Sequence, residues 1–109
     1  MSMSNPRLIL VVTLEVRKDA AATFARFETQ AAAILSRWDG KIERVIRLDE
    51  EAPGRTFREV HIVSFPDGDA FDAYRRDPEL AALKSLRDGA IVSTEIVRGR
   101  DLATYGGAD

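Results

Sequence analysis

The chain has 109 residues, 45% of them hydrophobic and 31% charged, with a formal net charge of −2. That is the size and composition of one globular domain, and the charge balance carries no nucleic-acid footprint. There is no cysteine and a single histidine, which excludes disulfides, thiolate nucleophiles, zinc fingers, iron–sulfur clusters and a multi-histidine metal site within one chain; no metal and no cofactor is expected.

Residues 1–6 are polar and expected to be loose. Leu8–Arg17 is rich in Val, Ile and Leu and too short for an ordinary helix, so it predicts a first strand. Its apolar run is far below the ~18 residues of a membrane span and lacks the flanks of a signal peptide. A cytoplasmic protein without a membrane partner is expected. Leu8, Leu10, Val12, Leu14 and Val16 make one wholly apolar face of this strand; Ile9, Val11, Thr13, Glu15 and Arg17 make a mixed one.

Asp19 is placed to cap a helix, and Phe24, Phe27, Ala31, Ile34, Leu35 and Trp38 follow at helical spacing. Gly40 sits where a left-handed glycine would end that helix. Lys41–Asp49 predicts a second strand, with Ile42, Arg44, Ile46 and Leu48 on one face and Glu43, Val45, Arg47 and Asp49 on the other. Residues 50–54 are a turn broken by Pro53-Gly54. Thr56–Phe65 predicts a third strand, with Arg58, Val60, Ile62 and Ser64 on one face and Phe57, Glu59, His61, Val63 and Phe65 on the other. Pro66 ends it. Asp67 can cap a short helix carrying Phe71 and Tyr74, and Asp77-Pro78-Glu79 restarts helix with Leu80, Leu83 and Leu86 as its stripe and Gly89 at its end. Ala90–Arg98 predicts the last strand. The domain is thus expected over residues 7–99, with a tail over 100–109.

This β-α-β-β-α-β order is the split βαβ, or ferredoxin-like, α+β pattern, with both helical segments on one face of a four-stranded antiparallel sheet. The apolar face of the first strand, with Val60 and Ile62, is expected to meet the helices. Ile9, Val11, Val45, Val63 and Phe65 would then remain on the open face, too much apolar surface to leave wet. A second copy packing sheet to sheet would cover it, and Thr13, Glu15, Arg47, Glu59 and His61 would line a cleft of the kind that binds small molecules.

The run from Leu8 to Gly99 resembles the dimeric α/β-barrel superfamily. More narrowly it resembles a domain-of-unknown-function branch marked by a Phe-Pro turn after the third strand, a Ser/Asp-Pro-Glu helix restart, an Arg near the helix end and a last strand closing in Gly. Here these read Val63-Ser64-Phe65-Pro66-Asp67, Asp77-Pro78-Glu79-Leu80, Arg87 and Val97-Arg98-Gly99. The chain departs from the branch at Ser64, where many members carry Glu, and at Leu80, where an aromatic is common. The resemblance implies a homodimer with a cavity between sheet and helices. Its relatives include cofactor-free quinone-forming monooxygenases, muconolactone-type isomerases, haem enzymes and ligand-sensing domains, and fold alone does not choose among them.

His61 is the one side chain whose ordinary pKa lies near neutrality, and Glu59, two residues earlier on the same strand face, can orient it as a base for an acidic C–H or phenol. The alternative is a polar pair at a dimer interface. Arg47 is a candidate clamp for a carboxylate or enolate, or a surface partner of Asp49 or Glu43. Tyr74 is a core residue whose hydroxyl can reach a cavity. Arg87 is a ligand-anion site or a helix C-terminal charge. Thr13, Val63 and Phe65 would complete the walls. Nucleotide loops, a nucleophile elbow and a triad motif are absent. Two functions stand: a small cofactor-independent enzyme, monooxygenase- or isomerase-like, acting on an acidic or aromatic metabolite; and a non-catalytic ligand-binding or assembly module. An open pocket with His61 in its wall favours the first. A cavity filled by Phe57, Phe65 and long Arg side chains favours the second.

Overall fold

A computed structural model describes residues 7–49, 54–103, 105 and 106. The expected loose residues 1–6, the turn residues 50–53, and residues 104 and 107–109 of the tail lie outside the described residues. The described part of the tail, residues 100–103, 105 and 106, forms no helix or strand. Strand β1 spans Leu8–Arg17, helix α1 Ala21–Arg37, strand β2 Lys41–Arg47 and strand β3 Thr56–Phe65. The short helices α2, α3 and α4 span Gly68–Arg75, Pro78–Ala81 and Lys84–Ala90, and strand β4 runs Ile91–Gly99. The sheet is antiparallel throughout, in the order β2-β3-β1-β4. Among the described residues, no helix is long and apolar enough to cross a membrane.

β1 behaves as its alternation demands. Leu10, Leu14 and Val16 are buried against the helices, and α1 answers with Phe24, Phe27, Ala31, Ile34 and Leu35. Burial groups into two clusters. One joins Leu14 and Val16 to Phe24, Phe27, Ile34, Leu83 and Ile91. The other joins Leu10 and Val63 to Leu35, Phe65 and Phe71.

The expected facing of β3 is reversed. Its register pairs Phe65 with Leu8, Val63 with Leu10, His61 with Val12, Glu59 with Leu14 and Phe57 with Val16. Directly opposed residues share a face, so Phe57, Glu59, His61, Val63 and Phe65 lie with β1's apolar face, under the helices. Val60 and Ile62 lie on the open face instead. The expected facing of β2 also changes midway. A register shift between Ile42 and Arg44 puts Ile42 opposite Val63 but Val45 and Arg47 opposite His61 and Glu59. A bulge of this kind switches the side-chain phase, so Ile42, Val45 and Arg47 share the helix side. The strand itself ends at Arg47 rather than Asp49.

Helix punctuation differs in detail too. A 3-10 turn at Lys18–Ala20 precedes α1, and neither Ala20 nor Asp19 supplies a side-chain cap. Asp67 and Asp77 do cap, accepting from Ala70 N at 2.9 Å and Glu79 N at 2.8 Å. The second helical restart is split into α3 and α4, and α4 runs through Gly89 to Ala90, so Gly89 does not end it. Trp38 is not core: at the end of α1 it is 37% exposed and donates its Nε1 to Asp77 Oδ2 at 2.9 Å. That bond holds the Asp77 carboxyl below its usual range, while Arg37 grips Glu79 at 2.8 Å. Together they tie α1 to α3.

Asp39, with φ of 59°, takes the left-handed position that Gly40 was expected to take. Asp39 N donates to Ser36 O at 3.1 Å and Gly40 N to Leu35 O at 3.0 Å, the paired bonds of a Schellman closure. Gly40 is required by space. A Cβ there would stand 2.6 and 2.7 Å from Leu35 Cδ2 and Cγ, and 2.7 Å from Phe65 Cε1. Gly40→Ala should therefore cost ~1–3 kcal/mol in a urea denaturation, the usual range for overpacking. Asp39→Gly should change stability by less than ~1 kcal/mol.

The open face of the sheet keeps an apolar row. Ile62 of β3 pairs with Val11 of β1, which pairs with Val97 of β4, and Val60 pairs with Ile46. Val11, Ile46 and Val97 are 38%, 38% and 53% exposed.

Candidate functional site

A cavity of about 340 Å³ opens between the sheet and the helices. Its walls take Leu10, Val63, Leu35 and Phe71 from one core cluster and Leu14, Phe27, Ala31 and Ile91 from the other, with Val12 and Ile96 between. The polar groups in this apolar lining are few: His61, Glu28, Tyr74, Arg75, Arg87 and Thr94.

His61 is 4% exposed in this wall. Its Nε2 is 3.0 Å from Glu59 Oε1, and Glu59, 6% exposed, accepts at Oε2 from Arg47 Nε at 3.0 Å and Nη2 at 2.6 Å. Arg47 rests on the Phe57 ring, its Cζ 4.0 Å from the centroid. Burial pushes the Glu59 carboxyl up, but the hydrogen bonds from His61 and Arg47 and their charges outweigh it, and the net displacement is downward. An ionised carboxylate only accepts, so Nε2 carries the hydrogen. Nδ1 is left to face the carboxylate of Glu28, 3.6 Å away on α1.

Glu28 has the opposite environment. Burial is the largest influence and raises its pKa; Glu59 adds to this and His61 opposes it. Tyr74, whose ring packs 5.5 Å from Phe65, has its pKa pushed up to about 12, by burial first and then by Glu28, against an opposing effect of Arg87. Its phenol is thus a proton-bearing donor at neutral pH, and it makes no hydrogen bond to another described residue. Arg87 lies in the last turn of α4 and donates weakly to Thr94 Oγ1 at 3.4 Å.

A buried carboxyl whose pKa is raised stabilises the fold most at low pH and loses that contribution as pH rises through the folded-state value. Glu28→Gln removes the penalty. It should raise the melting temperature by a few degrees at pH 8 and by much less at pH 4, which calorimetry at the two pH values would test.

Of the residues singled out from sequence, His61, Val63, Tyr74 and Arg87 line the cavity. Glu59 and Arg47 stand behind His61, and the partner of Arg47 is Glu59, not Asp49 or Glu43. Phe65 is fully buried core, 0% exposed, and is no wall of the cavity. Thr13 is excluded because it pairs with Val60 and Glu95 on the open side of the sheet. Glu28 was missed. The signal available was a lone carboxylate set four residues after Phe24 and three before Ala31, at the margin of the helix's apolar stripe.

No family model matches the chain, and no curated protein matches it. Solved structures do. A protein of unknown function from Rhodopseudomonas palustris has a TM-score of 0.72 at 19% identity, covering 92% of this chain and 86% of that one. A dimeric protein of unknown function and ferredoxin-like fold from Bacteroides fragilis has a TM-score of 0.62 at 16% identity, covering 91% and 100%. SnoaB, a cofactor-independent oxygenase from Streptomyces nogalater, has a TM-score of 0.57 at 18% identity, covering 94% and 97%. Identities this low speak to architecture alone. The chain has the ferredoxin-like α+β fold.

Proposed function

We propose that the chain is a small enzyme that needs no cofactor and acts, in a monooxygenase- or isomerase-like reaction, on a small acidic or aromatic metabolite bound between sheet and helices. The observation that carries this is the cavity itself: about 340 Å³, with a buried His61 in its wall and neither Phe57 nor Phe65 filling it. In this reading Glu59, steadied by Arg47, fixes the His61 tautomer and leaves Nδ1 as the proton acceptor. The Tyr74 hydroxyl donates to oxygen that gains charge as the proton leaves. Arg87 pairs with the anionic group of the ligand, and Val63, Val12 and Leu10 hold its apolar part. Calorimetric titration with benzoates and the matching phenols tests the binding step. Arg87→Ala should weaken benzoate binding ~10-fold, or about 1.4 kcal/mol, and leave phenol binding nearly unchanged. Equal loss for both would show that Arg87 does not pair with the anionic group, and no binding of either class by the unaltered protein would count against the cavity as a site.

The same reading includes a homodimer through the open face. The row Ile62, Val11 and Val97 is the kind of exposed apolar patch that marks an interface, and the Bacteroides fragilis protein of the same fold is dimeric. Val11→Lys should convert a dimer to a monomer in light scattering and leave ligand affinity intact, because the cavity lies on the other side of the sheet.

A further inference from the structure

Two carboxylates flank one imidazole, and their surroundings drive them apart. Glu59 comes from the same strand as His61, sits outside the cavity and has both oxygens engaged. Glu28 comes from α1, lines the cavity, and has Nδ1 of His61 3.6 Å from its Oε2. Burial favours its protonated form, and the hydrogen bonds from His61 and Arg47 favour the ionised form of Glu59. Carboxyls set apart in this way divide acid from base.

We propose that Glu28 is a second catalytic residue, and that with His61 it makes this cavity a site of keto–enol isomerisation for an enolisable 2-oxo acid with an apolar side chain. The inference rests on the proposed function above and chooses the isomerase form of it. In the ketonising direction, the enol O–H bond breaks and its proton passes to His61 Nδ1. The C–O bond becomes C=O, the C=C bond becomes single, and its electron pair takes the proton of the Glu28 carboxyl to form the new C–H bond. The imidazolium then returns its proton to Glu28 across the 3.6 Å gap, which restores both groups. Nothing is oxidised or reduced, and no co-reactant is consumed. The substrate class follows from the walls: Arg87 and Tyr74 for the carboxylate and enol oxygens, Leu10, Val12 and Ile96 for the apolar group.

Phenylpyruvate is the probe. Its binding is read from the carbon-bound proton signals of His61, and its turnover from exchange of the benzylic hydrogens in D2O. The full chain should bind it and speed exchange. Glu28→Gln keeps the size of the side chain, so it should still bind the probe, but exchange should fall roughly 100-fold or more, the range for loss of a general acid. His61→Gln should fall similarly, and Glu28→Asp should retain part of the rate. If Glu28→Gln exchanges as fast as the unaltered protein, Glu28 has no such role and the proposed function survives. Binding without acceleration by the unaltered protein overturns the isomerase assignment alone. If phenylpyruvate leaves the His61 signals unmoved, the proposed ligand site fails and this inference fails with it.

Discussion

Phe65→Ala should lower the free energy of unfolding by about 3–5 kcal/mol, the range for a buried aromatic truncated to a methyl group. Phe65 is 0% exposed. Its ring is 5.4 Å from Phe71 and 5.5 Å from Tyr74, and it fills the space above Gly40. Removing it would leave α2 and the end of α1 without their shared contact and open a void in a close-packed cluster. Guanidinium denaturation should show a lower midpoint with the slope nearly unchanged. A loss below ~1 kcal/mol would mean that this cluster relaxes freely.

The second large effect lies in the His61 network. Glu59→Leu should cost ~1–3 kcal/mol at pH 7, because it leaves the buried Nε2–H of His61 without an acceptor. Arg47 adds little to that figure, since its side chain is 59% exposed and water can replace the carboxylate. The double variant Glu59→Leu/His61→Phe should recover much of the loss, because removing both partners leaves no orphaned donor. The pH dependence has a definite sign. A carboxyl held below its ordinary pKa contributes stability above that ordinary value and loses it as pH falls through the folded-state value. The gap between the unaltered protein and Glu59→Leu should therefore be widest at neutral pH and close in acid. Additive single-variant losses in the cycle would show that the two side chains are not coupled.

The β-α-β-β-α-β order and the core face of β1 are legible from local pattern, because a wholly apolar alternate set can point only inward. β3 is not legible in this way. Both of its faces carry β-branched residues, and Glu59 and His61 look like surface groups until the pairing with β1 puts them inside. There they are tolerated because each satisfies the other and Arg47 neutralises the carboxylate. The bulge in β2 follows from pairing geometry that no single strand encodes. Asp39-Gly40 reads naturally as a glycine closure, but packing of Leu35 and Phe65 over Gly40 moves the left-handed residue back by one. His61, Tyr74 and Arg87 were recognisable as candidates by chemistry. Glu28 was not, since only the approach of α1 to β3 gives that carboxylate its place beside His61.

The most direct measurement exploits the single histidine of the chain. One imidazole Cε1–H signal, followed by NMR while phenolic and carboxylic aromatic compounds are added, reports on the cavity wall alone. Saturable movement of that signal by an acidic aromatic, reduced in Arg87→Ala and preserved in the monomeric Val11→Lys, is the expected result. A signal indifferent to every compound, in a protein that is folded and dimeric, would contradict a working site at His61.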